Sequence, residues 1–283
     1  MVQGRMEWKD WLGLELFPDA RIVRTASRNK LRIAMLGLCL ASLALVSAGH
    51  CAQKLPAGLV YLRTVDSTIV QDMRYATRFN FTGAPVPGYH ANECILTRRV
   101  AEALARAQKE LVTIRPDLTL KVFDCYRPVV AVSRFRSWVH AKEGGERGYH
   151  HPDTARRDLI RLGYIAATSV HSRGNAVDLT IARSETAKAT EQPTQAISCK
   201  GAISEREPDT GLDMGTAFDC FDPMAHTAAP KLKAEVRNAR RMLVDLLARH
   251  GFKNYPREWW HFSFAGGRQG PLYDFPIVSL DAH

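Results

Sequence analysis

The sequence predicts an α+β domain built on a central, mainly antiparallel sheet flanked by helices, and three observations carry that expectation. Three stretches set apolar residues at helical spacing. Between them lie short, non-contiguous segments that alternate or are rich in β-branched residues. No internal repeat is evident, and 283 residues with 46% hydrophobic and 24% charged side chains can fill one large core or two small ones.

The elements follow in order. Val60 to Val65 and Ile69 to Tyr75 alternate as short strands do, and Gly83-Ala-Pro-Val-Pro-Gly88 is a loop. From Thr97 as N-cap, Val100, Leu104, Ala107 and Leu111 share a helical face, and Pro116 closes the segment. Leu118, Leu120 and Val122 alternate with Thr119, Lys121 and Phe123 in a strand that Pro128 ends. Ala131, Phe135, Trp138 and Val139 indicate a second helix, followed by a loop rich in Gly and His from Gly144 to Pro152. Val177 to Ile181 is a β-branched strand, and residues 183–212 form a polar insertion or long loop. A third helix covers 232–250, where Leu232, Val236, Ala239, Leu243, Leu246 and Leu247 share a face and Gly251 is the stop.

Ahead of the domain, residues 1–32 make an N-terminal extension ending in a basic region with Arg28, Lys30 and Arg32. Sixteen uncharged residues, 33–48, come next and end in Val46-Ser-Ala48. Residues 33–52 therefore have the pattern of a signal peptide cleaved after Ala48 or Ala52, and export to the periplasm or medium is expected. The run is short for a membrane span of about 20 residues, so membrane attachment through an uncleaved segment is the lesser alternative. Cys51 invites a lipoprotein reading, but His50 stands where lipid attachment wants Gly or Ala. The domain itself is assigned to 53–283.

Four cysteines remain beyond the leader, and an exported chain with an even number is compatible with two disulfides. Of the three pairings, Cys94 with Cys125 and Cys199 with Cys220 close the short loops; four unpaired buried thiols are the alternative. The formal charge of +10 includes +3 from residues 1–32, and the remaining +7 is interleaved with acids. That is a solvated surface rather than a nucleic-acid stripe, so no nucleic-acid partner is expected.

Two short words carry the chemistry. His171-Ser-Arg-Gly-Asn-Ala-Val-Asp178 and Glu258-Trp-Trp-His261 supply two imidazoles and a carboxylate, enough protein ligands for one catalytic zinc per chain with a position left open. His171 and Asp178 face opposite sides of an extended strand, so they meet only if the chain bends, and Arg173-Gly174-Asn175 suits a bend. Glu258 and His261 converge only on a turned or bulged backbone. His261 then ligates while Glu258 acts as general base toward the activated water, and Arg127, at the end of a strand, is the candidate oxyanion donor. Each word alone has a plainer reading: His171 as an ordinary core histidine, Glu258-Trp-Trp-His261 as an aromatic core strand, Arg127 as partner of a surface carboxylate. His150-His151 reads as a solvated pair, since neighbours in a loop point apart.

The stretch Ser169-Val-His171-Ser-Arg-Gly174-Asn-Ala-Val-Asp178-Leu-Thr180, together with Glu258-Trp-Trp-His261, resembles the VanX-type D-alanyl-D-alanine dipeptidases among the zinc D,D-peptidases with a His/Asp/His site. The resemblance extends to Asp124-Cys-Tyr-Arg127-Pro128, Asp213-Met-Gly-Thr-Ala-Phe-Asp219 and Tyr273-Asp-Phe-Pro276, and so covers about residues 58–278. It implies that His171, Asp178 and His261 bind zinc, that Glu258 is the base and that Arg127 stabilises the oxyanion. It also implies that Asp219 receives the ammonium of a small dipeptide substrate and that Ser169 is a pocket residue. The export signal, the extra cysteines and the 183–212 insertion depart from short cytoplasmic members. Two competitors stand beside the dipeptidase: a zinc D,D- or L,D-carboxypeptidase trimming peptidoglycan stems, and a non-catalytic zinc-containing binding protein. Glu258 and Arg127 argue against the last, because a structural site needs neither. No pattern in the sequence bears on oligomeric state.

Overall fold

A computed structural model describes residues 54–142, 148–187, 198–206 and 210–281. The expected leader, the beginning of the Gly- and His-rich loop (143–147) and residues 188–197 and 207–209 of the polar insertion lie outside the described residues.

Strands β1 (Leu59–Tyr61) and β3 (Ile95–Thr97) pair antiparallel in a small sheet. The main sheet is built from β2 (Val70–Gln71), β4 (Leu118–Asp124), β5 (Ala176–Arg183), β6 (Phe252–Asn254) and β7 (His261–Phe264). Its order is β2-β4-β5-β7-β6, and every neighbouring pair is antiparallel except β2 with β4. Helices α1 (Arg98–Ile114), α2 (Val129–His140) and α3 (Ala234–Arg249) flank it. The expected α+β class therefore holds.

Burial explains the helices. Val100, Leu104, Ala107 and Leu111 of α1 are buried, and the helix ends two residues before Pro116, whose ring disfavours helical backbone in the residue ahead of it. Buried Gln108 adds a polar tie to β4, donating to Thr119 Oγ1 at 2.9 Å and accepting from the Leu120 amide at 2.9 Å. Thr97 does occupy the N-cap position, yet its hydroxyl bonds Asn175 Oδ1 at 2.9 Å instead of capping the helix. In α3 the same logic buries Val236, Leu243, Leu246 and Leu247, with Gly251 beyond the end at φ 88°. That helix begins at Ala234, two residues later than its apolar pattern suggests.

The two N-terminal strands are shorter than their alternation indicates. Pairing stops at Tyr61 and at Gln71, and each strand gives way to a short 3-10 turn. Every residue of β4 is buried, so its alternation is not that of a half-solvated strand. Lys121 is wholly buried and pairs with Asp72 at 3.0 Å; Asp72 also meets Arg74 at 3.0 Å. A charge that deep is tolerable only when paired. The ends of the polar insertion are ordered against β5: Arg183 N donates to Thr210 O, and Leu212 N to Ile181 O at 2.8 Å.

Register is what positions the chemistry. Asp124 lies opposite Asp178 across β4 and β5, beyond a register irregularity after Val122, and Asp178 lies opposite His261 across β5 and β7. Three adjacent strands thus place three polar side chains in one row. Both disulfides form the short loops expected, Cys94–Cys125 and Cys199–Cys220.

Candidate active site

His171 reaches the row from a 3-10 turn, His171–Arg173, that ends at Gly174 in the left-handed region at φ 65°. A Cβ at Gly174 would lie 2.8 Å from Leu59 and 3.2 Å from the Thr97 amide, so both the backbone twist and the close packing require glycine there. This is the bend that the separation of His171 from Asp178 demanded. The ring's Nδ1 lies 2.7 Å from the Cys125 carbonyl, which can only accept. Nδ1 therefore carries the proton, and Nε2 presents a lone pair.

That lone pair lies 3.3 Å from Asp178 Oδ1 and 3.1 Å from His261 Nδ1, and His261 Nδ1 is 2.9 Å from Asp178 Oδ1. Burial pushes His261 below the usual imidazole pKa, against the pull of Asp178, and so favours its neutral, ligating form. For Asp178, burial works to raise the pKa, but the two imidazoles beside it, His171 first, outweigh it and hold the carboxyl far below its ordinary range. The three donor atoms all lie within 4.8 Å of one another. Their spacing is close to the roughly 3.3 Å edge of a tetrahedron whose bonds are about 2.05 Å long, the geometry of two imidazoles and a carboxylate around a divalent ion. This donor set fits a metal with one corner left for another ligand.

Glu258 comes from a turn rather than a strand: its amide donates to Tyr255 O at 3.0 Å, and His261 N donates to Glu258 O at 3.3 Å. The two tryptophans between them fix that turn. Trp259 and Trp260 are 2% and 1% exposed, Trp259 Nε1 donates to Thr216 Oγ1 at 2.8 Å, and Trp260 meets Phe218 edge to face. One segment thus packs its tryptophans into the core and brings Glu258 and His261 to the cleft. The Glu258 side chain is buried and makes no hydrogen bond among the described residues. Burial, then the charges of Asp178 and Asp219, raise its pKa well above the usual range, with Arg127 opposing.

Arg127 is no surface residue. Its Nε donates to Asp124 Oδ2 at 2.9 Å, and its Nη2 lies 2.8 Å from Asp124 Oδ2 and 3.3 Å from Asp178 Oδ2. The rings of Tyr75 and Phe135 each lie 5.2 Å from the guanidinium carbon. This leaves Nη1 without an acceptor among the described residues. Asp219, 4% exposed and at φ 57°, accepts a bond from the Tyr75 hydroxyl at 2.9 Å. Burial, and then the charge of Asp178, raise its pKa well above the ordinary value.

His171, Asp178, His261, Glu258, Arg127, Asp219 and Ser169 all line one cleft of about 890 Å³. Ser169 also accepts the His171 amide through its hydroxyl at 3.2 Å, which steadies the turn. The solvated reading of His150-His151 is corrected. His151 is buried against the Thr154 carbonyl, and His150 Nδ1 faces the Asp219 carbonyl at 3.2 Å, with burial pushing its pKa down to about 3. Sequence reasoning gave no role to Asp124, Tyr75 or Tyr89. Asp124 orients Arg127 and takes the Tyr89 hydroxyl at 2.7 Å. Its place in the Asp124-Cys-Tyr-Arg127 word was the available signal.

Converging imidazole and carboxylate donors beside a buried, unbonded glutamate and a guanidinium, all in a cleft on an α+β sheet, define the class of metal-dependent peptidases. Comparison with known proteins narrows this. The D-Ala-D-Ala dipeptidase family profile matches residues 56–195 and 189–279. The chain is 32% identical over 225 residues to a D-alanyl-D-alanine dipeptidase of Enterococcus faecium, covering 78% of this chain and 98% of that one. It is 36% identical over 215 residues to the Streptomyces coelicolor D-alanyl-D-alanine dipeptidase, covering 75% and 94%. With the Enterococcus faecalis protein of the same name, identity is 34% over 207 residues, 72% and 90% of the two chains. The chain belongs to the D-Ala-D-Ala dipeptidase family of metallopeptidases.

Proposed function

We propose that this protein is an exported zinc dipeptidase that hydrolyses D-Ala-D-Ala or a closely related dipeptide in the turnover of envelope peptides. The observation that carries the reading is the convergence of His171 Nε2, Asp178 Oδ1 and His261 Nδ1 in the same cleft as the unbonded carboxyl of Glu258. Two disulfides inside the domain agree with an oxidising compartment and with the leader-like residues 33–52. Among the described residues no helix is long and apolar enough to cross a membrane.

His171, Asp178 and His261 would hold the zinc, which when bound supplies a Lewis acid that makes water nucleophilic near neutral pH and polarises the scissile carbonyl. Glu258 takes the proton of the attacking water and passes it to the leaving amine. Its raised proton affinity suits a group that must hold that proton between the two events. Arg127, held in place by Asp124 and Asp178, offers the spare Nη1 to the developing oxyanion. Asp219 receives the substrate ammonium. Its carboxylate is buried and costly to ionise alone, so a charged partner stabilises it, while an acylated amine leaves it unpaired.

A zinc D,D- or L,D-carboxypeptidase is the competing reading, and it requires an open groove at the ammonium side, where Asp219, Tyr75 and Phe221 line the cleft. Glu258→Ala tests the chemistry: the variant keeps its metal and loses at least about a hundred-fold in kcat. Unchanged turnover removes the mechanism. Comparing D-Ala-D-Ala with its N-acetyl form and a stem pentapeptide tests the substrate class, and rapid release of alanine from either of the latter overturns the dipeptidase reading.

A further inference from the structure

Asp219 stands in the left-handed region at φ 57°, a conformation that aspartate adopts more readily than most residues with a Cβ but that is still uncommon outside glycine. A conformation of this kind persists only where its surroundings over-determine it. Here one residue, Cys199, holds the chain on both sides. Its carbonyl accepts the amide of Ala217 at 2.8 Å, two positions before Asp219, and its sulfur is bonded to Cys220, the position after. Asp219 is therefore the crown of a short arch with both feet on Cys199. Both sulfurs are fully buried.

Other contacts fasten the arch to the loop that precedes the cleft. Phe221 N donates to His150 O at 2.7 Å, Cys199 N donates to Tyr149 O, and Lys200 bridges Asp222 at 3.0 Å and Asp153. Cys199 and Lys200 belong to the 183–212 insertion, so the insertion has a mechanical link to the residue that faces the substrate amine.

We propose that the Cys199–Cys220 disulfide is a specificity-determining positioning element, which holds Asp219 in its left-handed conformation and so sets discrimination for a free substrate ammonium. The inference rests on the proposed role of Asp219. With the cross-link open, the arch loses its covalent foot and is left with hydrogen bonds, from Ala217 to Cys199, from His150 to the Asp219 carbonyl and from Phe221 to His150. Asp219 then relaxes toward an ordinary backbone conformation, and its carboxylate leaves Tyr75 and the cleft. The metal donors and Glu258 lie on other segments, and the ties of their turn to the arch, Trp259 on Thr216 and Trp260 on Phe218, flank Ala217, whose bond to the Cys199 carbonyl does not depend on the cross-link.

The test compares the intact enzyme, C199S/C220S and Asp219→Asn with D-Ala-D-Ala and N-acetyl-D-Ala-D-Ala, alongside metal content and thermal melting. C199S/C220S is expected to raise KM for D-Ala-D-Ala about ten-fold, to narrow the preference over the acetylated substrate by a similar factor, and to keep kcat within about three-fold. A merely destabilised variant would lose active protein and kcat, not the ratio between the two substrates. If the ratio stays at the intact value while Asp219→Asn collapses it, the disulfide has no positioning role and the inference fails alone. If Asp219→Asn also leaves the ratio unchanged, the ammonium reading itself is wrong. Should the double variant not fold, the intact enzyme is assayed in a phosphine reductant with mass mapping of the free thiols. The same loss of ratio must then follow the appearance of free Cys199 and Cys220, and an unchanged ratio in that species overturns the proposal.

Discussion

His171 Nδ1 lies 2.7 Å from the carbonyl oxygen of Cys125, and that one bond decides which nitrogen of the ring meets Asp178 and His261. Cys125 is itself fixed by its disulfide to Cys94, next to the strand whose Thr97 amide donates to Gly174 O at 2.9 Å. The orientation of a candidate metal donor is thereby tied to both sheets.

Metal removal should show as a loss of both turnover and stability. A tightly bound ion that binds only the folded state adds roughly 3–4 kcal/mol. Stripping it with a chelator is expected to lower the melting temperature by roughly 5–15 °C in a domain of this size. Zinc should restore both properties, measured by scanning calorimetry and alanine release. Full activity in metal-free protein excludes the His/Asp/His centre from the reaction.

Arg127→Ala is expected to reduce kcat by about 10²–10³ through loss of the proposed oxyanion donor. It also strands Asp124, which is fully buried, at a cost of about 3–5 kcal/mol in urea unfolding. Adding Asp124→Asn to Arg127→Ala should recover much of that stability and none of the turnover, and equal instability of single and double variants would contradict the pairing.

The same variant carries a pH signature. Burial raises the Asp124 pKa, and Arg127 is the first group that opposes this. Without Arg127 the folded-state pKa rises further above the unfolded value of about 3.9. A carboxyl raised in the fold costs nothing while protonated and loses stability as pH climbs through the interval between the two values. The deficit of Arg127→Ala relative to the parent should therefore be smallest near pH 4 and grow toward neutrality. A deficit that shrinks as pH rises is the contrary result.

Gly174→Ala brings a Cβ to 2.8 Å from Leu59 in a left-handed backbone. It should cost about 1–3 kcal/mol and weaken metal binding by shifting His171. Thermal melts and metal titration read the two effects, and a neutral substitution would mean that the bend is not under constraint.

The local elements were legible where their period was clear. The faces of α1 and α3 are those that the spacing of Val100 to Leu111 and of Val236 to Leu247 indicates. The bend at Arg173-Gly174-Asn175 followed from the need to bring two polar residues together. What failed did so for tertiary reasons. Lys121 and Thr119 read as a polar face, but a buried Asp72 and Gln108 satisfy them inside the protein. His150 and His151 read as solvated because neither the Thr154 nor the Asp219 carbonyl that covers them is detectable from neighbouring positions.

The sequence by itself determined the chemical types at the site, the short loops that the cysteines close, the leader-like pattern and the family resemblance, since each of these is a matter of residue identity and spacing along the chain. Only the tertiary structure decided that Asp124, Asp178 and His261 form one row, that Asp124 holds Arg127, and that Asp219 occupies a left-handed conformation beside Cys220. The reason is physical. Strand register, one irregularity after Val122 and a cross-link between distant segments set these distances, and a register change of a single residue would turn each donor to the opposite face.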